Sequence, residues 1–137
     1  MLVEMELNKI IIDEKRQDQV IVLKEKHGER VLPIAIGIAE ALAIKMKISG
    51  VTPPRPLTHD LLADTIVSLG AHLEKILIDQ LTEGTFYAKL AIRAAAGQEV
   101  VIDARPSDSI ALAVRVKAPV FVDDDVIKRA QHLLPEA

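Results

Sequence analysis

The sequence predicts a mixed α+β fold in which a β-β-β-α unit occurs twice, with an inserted helix between the copies and a further helix at the C-terminus. Runs rich in Val and Ile come in groups of three, and each group precedes a run with helical spacing. Half of the 137 residues are apolar and only 2% are aromatic, so we expect a tightly packed aliphatic core. This length suits one domain over residues 1–137.

The first copy is predicted over about residues 3–49. Its strands form a meander with a turn at Gly28, and they are expected at Met1–Ile12, Gln19–Lys26 and Arg30–Ile36. A helix follows at Ile38–Ile48, with Gly50 as its stop. Apolar residues at helical spacing predict its core face: Ile38, Ala41, Leu42 and Met46.

The second copy, over about residues 71–117, repeats this order. Strands are predicted at Leu73–Leu81, Thr85–Ala94 and Glu99–Ala104, and a helix at Ser107–Val116. Short stretches match between the copies, namely Lys9–Asp13 with Lys75–Asp79 and Ala41–Lys47 with Ala111–Lys117. A three-stranded sheet with one helix leaves an apolar face open, and we expect the second copy to cover it.

Two further segments complete the chain. In residues 50–70 three prolines within four positions predict a stiff extended connector, after which Thr58 is expected to cap a helix with Asp60 in its first turn. Residues 118–134 predict a strand at Pro119–Val122 and a helix at Asp123–Leu134. Three adjacent aspartates at the start of that helix indicate a solvated helix end rather than an ion site.

Composition limits the classes of function. The net charge of −3 lacks the positive field with which nucleic-acid-binding proteins commonly attract phosphates, although a local cationic groove suffices for an enzyme. The absence of cysteine excludes disulfides and thiolate chemistry, and it favours a cytoplasmic protein. No apolar run approaches the roughly 18 residues of a membrane span, and the acidic first residues are unlike a signal peptide.

The first candidate cluster is Arg55–Asp60, at the start of the inserted helix. It places a guanidinium, a hydroxyl, an imidazole and a carboxylate where free N–H groups already favour an anion. His59 could act as a general base or metal ligand, Asp60 could orient it, and Arg55 could clamp a phosphate. The alternative is a capped helix with an ordinary surface histidine.

The second cluster is Asp103–Asp108, where a strand ends and a helix begins. Ser107 is the expected helix cap, and Asp108 lies in the first turn. Asp103 and Arg105 would point to the same side if the strand continued, which indicates either a salt bridge or a second carboxylate and phosphate-binding arginine. We expect the fold to bring this cluster near the first one.

Other candidates carry weaker signals. Glu40 begins the helix of the first copy, where an acid favours the helix dipole, and it is expected to be exposed. His27, His72 and His132 have no convergent partners in the sequence and receive no role. The sequence lacks the motifs typical of nucleotide triphosphatases, serine hydrolases and zinc proteases, so no motif supports those three classes.

At these clusters the chain resembles the bifunctional nuclease domain family, over nearly its whole length from about Met5 to Leu133. The most specific pieces are Leu32–Gly37 with Glu40–Ala41, Arg55–Leu61, Gly84–Ala88 and Asp103–Asp108. The resemblance implies an α+β domain that associates as a homodimer. It also implies an activity, because some plant and bacterial members are described as cleaving both RNA and DNA.

Two functions are therefore expected. The first is a nuclease whose catalytic set is His59, Asp60, Asp103 and Asp108 and whose substrate-binding set is Arg55, Thr58, Arg105 and Ser107. In it, Mg²⁺ or Mn²⁺ would be held by Asp60, Asp103, Asp108 and Glu40, without an organic cofactor. The second is a non-catalytic dimeric regulatory or partner-binding module, in which both clusters are caps and salt bridges. Low positive charge and few aromatic residues favour this second function.

Overall fold

The computed structural model describes residues 1–13 and 15–131. This part of the chain forms seven strands and four helices, which confirms the predicted α+β class. In chain order they are β1 (Leu2–Ile11), β2 (Gln19–Glu25), β3 (Val31–Ile36), α1 (Ile38–Ile48), α2 (Thr58–Ser68), β4 (His72–Thr82), β5 (Thr85–Arg93), β6 (Glu99–Ala104), α3 (Pro106–Val116), β7 (Val120–Asp123) and α4 (Asp124–Gln131). His132 and the last predicted residues of the C-terminal helix, 132–134, lie outside the described residues.

The strands form one sheet in the order β3-β2-β1-β7-β4-β5-β6. β7 lies between the two meanders, antiparallel to β1 and parallel to β4, and Val120 pairs with both Met5 and Ile76. The two halves therefore meet edge to edge through β7, and the expectation that one copy covers the face of the other is wrong. The reason is that β7 satisfies the backbone groups of two strand edges at once. Descent of the halves from a duplication and the domain limits stay predictions.

One face of the sheet carries the core. Ile21 lies opposite Ile34 and Leu23 opposite Leu32, and all four side chains are buried. Because side chains alternate along a strand, these residues share the face on which the helices pack. α3 is the central helix, since it contacts α1, α2, β4 and β5. Within the described residues no helix combines the length and apolar content needed to cross a bilayer.

The predicted core face of α1 is wrong in part. Ala41, Ala43 and Ile44 are the buried residues, whereas Ile38 and Leu42 are exposed. This helix is apolar around most of its circumference, so helical spacing alone does not determine which side faces the core. Its contact with α3 selects the side that carries the small residues.

Candidate functional site

A cleft of about 500 Å³ lies between α2, the strands β5 and β6 and the start of α3. Five residues predicted from the two clusters line it: Thr58, His59, Asp103, Arg105 and Asp108. The remaining wall is aliphatic and consists of Leu62, Ile66, Leu90, Ile92, Ile102, Ala104 and Leu112. The fold thus brings the two clusters, which are more than 40 residues apart in the sequence, into one cavity that has both polar and aliphatic walls.

Three of the acidic residues occupy the same position in three different helices. The residues preceding α1, α2 and α3 are Gly37, Leu57 and Arg105, and an acid follows each by three positions: Glu40, Asp60 and Asp108. At this position a carboxylate interacts favourably with the free N–H groups and the positive end of the helix dipole. Each acid therefore has a local structural reason to be there.

A hydrogen-bonded network joins the first turns of α1, α2 and α3. Nε2 of His59 lies 2.9 Å from Oδ1 of Asp108, a residue 49 positions away. Arg105 donates from Nε to Oδ2 of Asp108 over 2.9 Å and from Nη2 to Oε1 of Glu40 over 2.7 Å. Because an ionised carboxylate only accepts hydrogen bonds, His59 carries its proton on Nε2 and donates it to Asp108.

The network has a defined electrostatic state. Burial raises the pKa of the Asp108 carboxyl, but hydrogen bonds from Arg105 and His59 outweigh burial and hold that pKa below its ordinary value. Hydrogen bonds to Asp108 and Glu40 raise the pKa of the Arg105 guanidinium. The guanidinium of Arg105 therefore lies between two carboxylates, those of Asp108 and Glu40.

Glu40 is not exposed as predicted, since only 16% of its side chain is accessible. Its carboxylate folds back over the start of α1, and a Cβ added to Gly37 would lie 2.5 Å from Oε2 of Glu40. The glycine before α1 therefore leaves the space that the carboxylate occupies. The contact between Gly37 and Glu40 was missed in the sequence, because a glycine before a helix carries no signal about a side chain three residues later.

Asp60 and Arg55 face a different cavity. That cavity, of about 310 Å³, is lined by the proline-rich connector, Lys47, Asp60 and Asp64 together with Arg55. Asp60 accepts a hydrogen bond from the N–H of Leu57 over 2.9 Å and one from Nε of Arg115 over 2.6 Å. The N–H of Leu57 is the leading cause that lowers the pKa of Asp60, and Arg115 adds to it.

Arg115 was not recognised from the sequence. Its side chain is only 5% accessible and also donates to the carbonyl oxygens of Ala111 and Ala43, at 2.7 and 3.3 Å. It thereby ties α2 to α1 and α3. The match of Arg115 with Lys45 between the two halves was the available signal, but nothing in that match indicates burial.

The predicted helix caps are wrong at Thr58 and Ser107. α2 begins at Thr58 after Leu57, and α3 begins at Pro106 after Arg105, so both hydroxyl residues lie inside their helices. Proline is well suited to the first helical position because it lacks an N–H. α3 therefore starts at Pro106, one residue earlier than predicted. Ser107 is buried and contributes to a third cavity beside Gly37, Thr85 and Arg105.

Asp103 is exposed on β6, where its register neighbour on β5 is Lys89. The ion pairs of Arg105 are formed with Glu40 and Asp108, and Asp103 is not a partner in the described residues. The strand ends at Ala104, so the condition for Asp103 and Arg105 to point the same way is not met. Asp103 therefore shares the cleft but not the network.

The predicted metal ligands do not gather around one point. Across residues 1–13 and 15–131 no three side chains of His, Cys, Asp or Glu converge in a way that suits one ion. Arg105 stands between Glu40 and Asp108, and Asp60 faces the other cavity. The residues present do not fit a three-carboxylate site in this arrangement, and a role for Mg²⁺ or Mn²⁺ stays a prediction.

Comparison with known proteins assigns the family. A sequence profile of the bifunctional nuclease domain matches residues 21–134. An uncharacterized protein of Mycobacterium tuberculosis is 44% identical over 127 residues, which cover 93% of this chain and 75% of that protein. The chain belongs to the bifunctional nuclease domain family, as the resemblance in the sequence predicted.

More distant relatives carry a functional name. Bifunctional nuclease 1 of rice, Oryza sativa subsp. japonica, is 24% identical over 106 residues, covering 75% of this chain and 32% of the rice protein. Bifunctional nuclease 2 of the same plant is 27% identical over 114 residues, covering 81% and 35%. The chain thus corresponds to about a third of each rice protein.

Proposed function

We propose that this protein is a nuclease that hydrolyses phosphodiester bonds in RNA and DNA, with its active site at the polar rim of the α2–β6 cleft. Membership of the family and the names of the rice relatives support a nuclease. The observation that carries the location is the hydrogen bond between His59 and Asp108, which both line this cleft. A histidine oriented by a carboxylate is a common arrangement for general-base catalysis.

In the proposed reaction His59 acts as the base. Its Nε2 donates to Asp108, so the lone pair lies on Nδ1, which takes a proton from the attacking water. The water oxygen bonds to phosphorus, the bond to the leaving oxygen breaks, and that oxygen takes up a proton from solvent. Asp108 keeps the imidazole in one tautomer and stabilises the imidazolium that forms.

Arg105 is the proposed phosphate-binding residue. Its side chain is 67% accessible, and two of its five N–H donors are used for Asp108 and Glu40. The remaining donors can contact a phosphate at the rim, while the aliphatic wall of the cleft suits the nonpolar faces of a sugar or base. The two carboxylates compete with phosphate for this guanidinium, which predicts weak substrate binding.

A non-catalytic module is the second candidate, and a specific observation favours it. The acids of the network each occupy the third helical position, and their charges are already paired inside the protein. Such a network holds three helix ends together without any substrate. In this case the cleft would bind a partner through its aliphatic wall.

One assay separates the two candidates. Purified protein is incubated with single-stranded RNA and with single-stranded DNA, with Mg²⁺, with Mn²⁺ and with a chelator, beside His59→Ala. Removal of a general base lowers a rate about 10²- to 10⁴-fold, so His59→Ala should lose almost all cleavage. The matched control is His72→Ala, which removes an exposed histidine on β4.

The outcomes are distinct. Equal cleavage by the wild type and His59→Ala would mean a contaminant or another site, and no cleavage by the wild type with either metal would leave the module as the better description. Cleavage that persists in the chelator would contradict the predicted metal requirement. Homodimerisation, nucleic acid as substrate and cytoplasmic location are further parts of the proposal and stay predictions.

A further inference from the structure

The third cavity, beside Gly37, adjoins the α2–β6 cleft, because Arg105 lines both. Its volume is about 330 Å³, which lies in the range typical of small-molecule sites. Its walls come from the end of β3, the turn between β4 and β5 and the first turn of α3. β3 lies at one end of the strand order and β5 near the other, so the sheet curves enough to bring them together. We call this space the Ser107 cavity, after the buried serine that lines it.

Ser107 presents an unsatisfied hydroxyl to this cavity. Only 6% of the residue is accessible, and among the described residues its hydroxyl forms no hydrogen bond. The neighbouring Ser109 differs, because its hydroxyl donates to the carbonyl oxygen of Arg105 over 2.9 Å. Buried hydroxyls are normally paired, since an unpaired one loses its hydration without compensation. Ser107 therefore has one donor and its acceptor lone pairs available for a ligand.

Phe86 gives the cavity an aromatic wall. It lies opposite Leu81 in the β4–β5 hairpin, and Leu81 is buried in the core on the helix side of the sheet. Directly opposite residues share a face, so Phe86 points to the helix side, whereas the next residue, Tyr87, is exposed on the other face. Ile34 and Ile36 also line the cavity. An apolar wall with one aromatic ring suits a flat ring system.

The charges around the cavity favour a neutral ligand. Asp18 lines the cavity, and the carboxylate of Glu40 lies beside Gly37, which lines it too. Arg105 is the cationic residue of the lining, and Glu40 and Asp108 already compete for its guanidinium. A phosphate inside this cavity would be repelled by the carboxylates, and no unpaired cation lines the cavity to offset them. A neutral ring with hydrogen-bonding groups along its edge avoids this repulsion.

Proteins recognise unpaired nucleobases with this combination of groups. A base is flat, stacks on an aromatic side chain and forms hydrogen bonds along its edge. In the Ser107 cavity Phe86 provides the aromatic ring, and hydrogen-bonding groups come from Ser107, Thr85 and Asp18. Arg105, to which the proposed reaction assigns a phosphate, lines this cavity and the catalytic cleft alike. A base bound here would therefore be close to a phosphate held by that arginine.

We infer that the Ser107 cavity binds one nucleobase of a single-stranded substrate, next to the phosphate that contacts Arg105. The base packs against Phe86, and its edge forms a hydrogen bond with the hydroxyl of Ser107. A base in a duplex would first have to leave its stack and its partner, so the site favours single strands over duplexes. The inference rests on the proposed nuclease function for the identity of the substrate, but base binding itself needs no cleavage.

Adenosine 5′-monophosphate tests base binding without catalysis, because it contains no phosphodiester bond. Its matched control is ribose 5-phosphate, which has the same sugar and phosphate but no base. In NMR titrations the nucleotide should bind saturably, and ribose 5-phosphate should bind about fivefold more weakly or worse, since stacking is lost. The chain has two phenylalanines and one tyrosine, which makes their ring signals assignable. Nuclear Overhauser effects should join the adenine protons to the ring of Phe86.

Two substitutions test the two contacts. Ser107→Ala suits a helix and should raise the Kd for the nucleotide about 2- to 10-fold, the effect of one hydrogen bond. Phe86→Leu keeps an apolar side chain but loses the ring, and it should raise the Kd about fivefold or more. The matched controls Ser68→Ala and Tyr87→Leu change exposed residues and should leave the Kd unchanged. Circular dichroism of all four variants verifies that they fold.

The outcomes separate this inference from the nuclease proposal. Absence of nucleotide binding, equal binding of ribose 5-phosphate, or an unchanged Kd in folded Ser107→Ala and Phe86→Leu would each overturn the inference, even in a protein that cleaves RNA and DNA. Nucleotide binding with contacts to Phe86 in a protein that cleaves neither would support the base site and reject the nuclease. The contacts to Phe86 are measured on the wild type, so this part of the test does not depend on the folding of a variant.

Discussion

Arg105 donates to Glu40 across 65 residues of sequence and thereby joins the start of α3 to the first turn of α1. The same guanidinium binds Asp108, which in turn accepts from His59 at the start of α2. The first turns of α1, α2 and α3 are therefore linked by hydrogen bonds that meet at one exposed arginine and its partner Asp108.

Gly37→Ala should disturb Glu40 rather than the backbone. The residue has a φ of −75°, which alanine adopts readily, but its Cβ would lie 2.5 Å from Oε2 of Glu40. The flexible carboxylate must move and lose its contact with Arg105, at a cost of about 0.5 to 1 kcal/mol for a partly exposed pair. The free energy of unfolding in urea is measured for Gly37→Ala, Glu40→Ala and the double variant. The glycine change should lower this free energy by almost nothing once Glu40 is absent.

Glu40→Gln should strengthen substrate binding if the cleft is a nuclease site. Glu40 competes with phosphate for Arg105, so removing its charge should lower KM a few-fold and leave kcat nearly unchanged. Asp108→Asn should have the opposite pattern, with a drop in kcat of about tenfold or more, because His59 loses its orienting carboxylate. Steady-state kinetics on a short RNA gives kcat and KM for both variants. If Glu40→Gln and Asp108→Asn changed kcat and KM in the same way, the assigned roles would be contradicted.

Arg115→Met should be strongly destabilising. The substitution leaves Asp60 and the carbonyl oxygens of Ala111 and Ala43 without a buried donor, which should cost about 2 to 3 kcal/mol. Arg115→Lys should recover only part of this, because an ammonium group lacks the planar set of donors. The exposed Arg129→Met is the matched control and should cost less than about 0.5 kcal/mol. Similar losses in Arg115→Met and Arg129→Met would disprove the role of Arg115.

Stability should fall in acid through Asp60 and Asp108. Their pKa values are lower in the folded protein than the ordinary value of about 3.9, so the unfolded chain binds more protons in the intervening range. The stabilisation is present above about pH 4 and is lost as the pH falls through the folded pKa values. Urea unfolding from pH 6 to pH 2.5 measures the fall. Asp60→Asn should be about 1 kcal/mol less stable at pH 7 and show a shallower fall, and an unchanged slope would count against this assignment.

The pattern of the sequence was enough to predict the elements, because Val- and Ile-rich strands and helix stops are local signals. It was not enough to place β7 at the centre of the sheet. A short run such as Val120–Asp123 carries no mark of which strands lie beside it. The parallel pairing with β4 depends on long-range hydrogen bonds that periodicity does not encode.

The candidate site was predictable to a similar extent. His59, Arg105 and Asp108 do share a cleft, in line with the expectation that the fold brings the two clusters together. Asp60 does not, because neighbouring residues on a helix point about 100° apart, and of His59 and Asp60 it is His59 that faces the cleft. Glu40 was predicted to be exposed, and Arg115 was not recognised at all. The reason is that burial of a charged side chain depends on partners far away in the sequence.

The position of β7 also bears on how the protein is made. The ribosome completes both meanders before it reaches Val120, and until that point neither β1 nor β4 has its central neighbour. Until β7 is present, the facing edges of β1 and β4 have N–H and C=O groups without a strand partner. The seven-stranded sheet can therefore be completed only late in synthesis, once this four-residue strand is available.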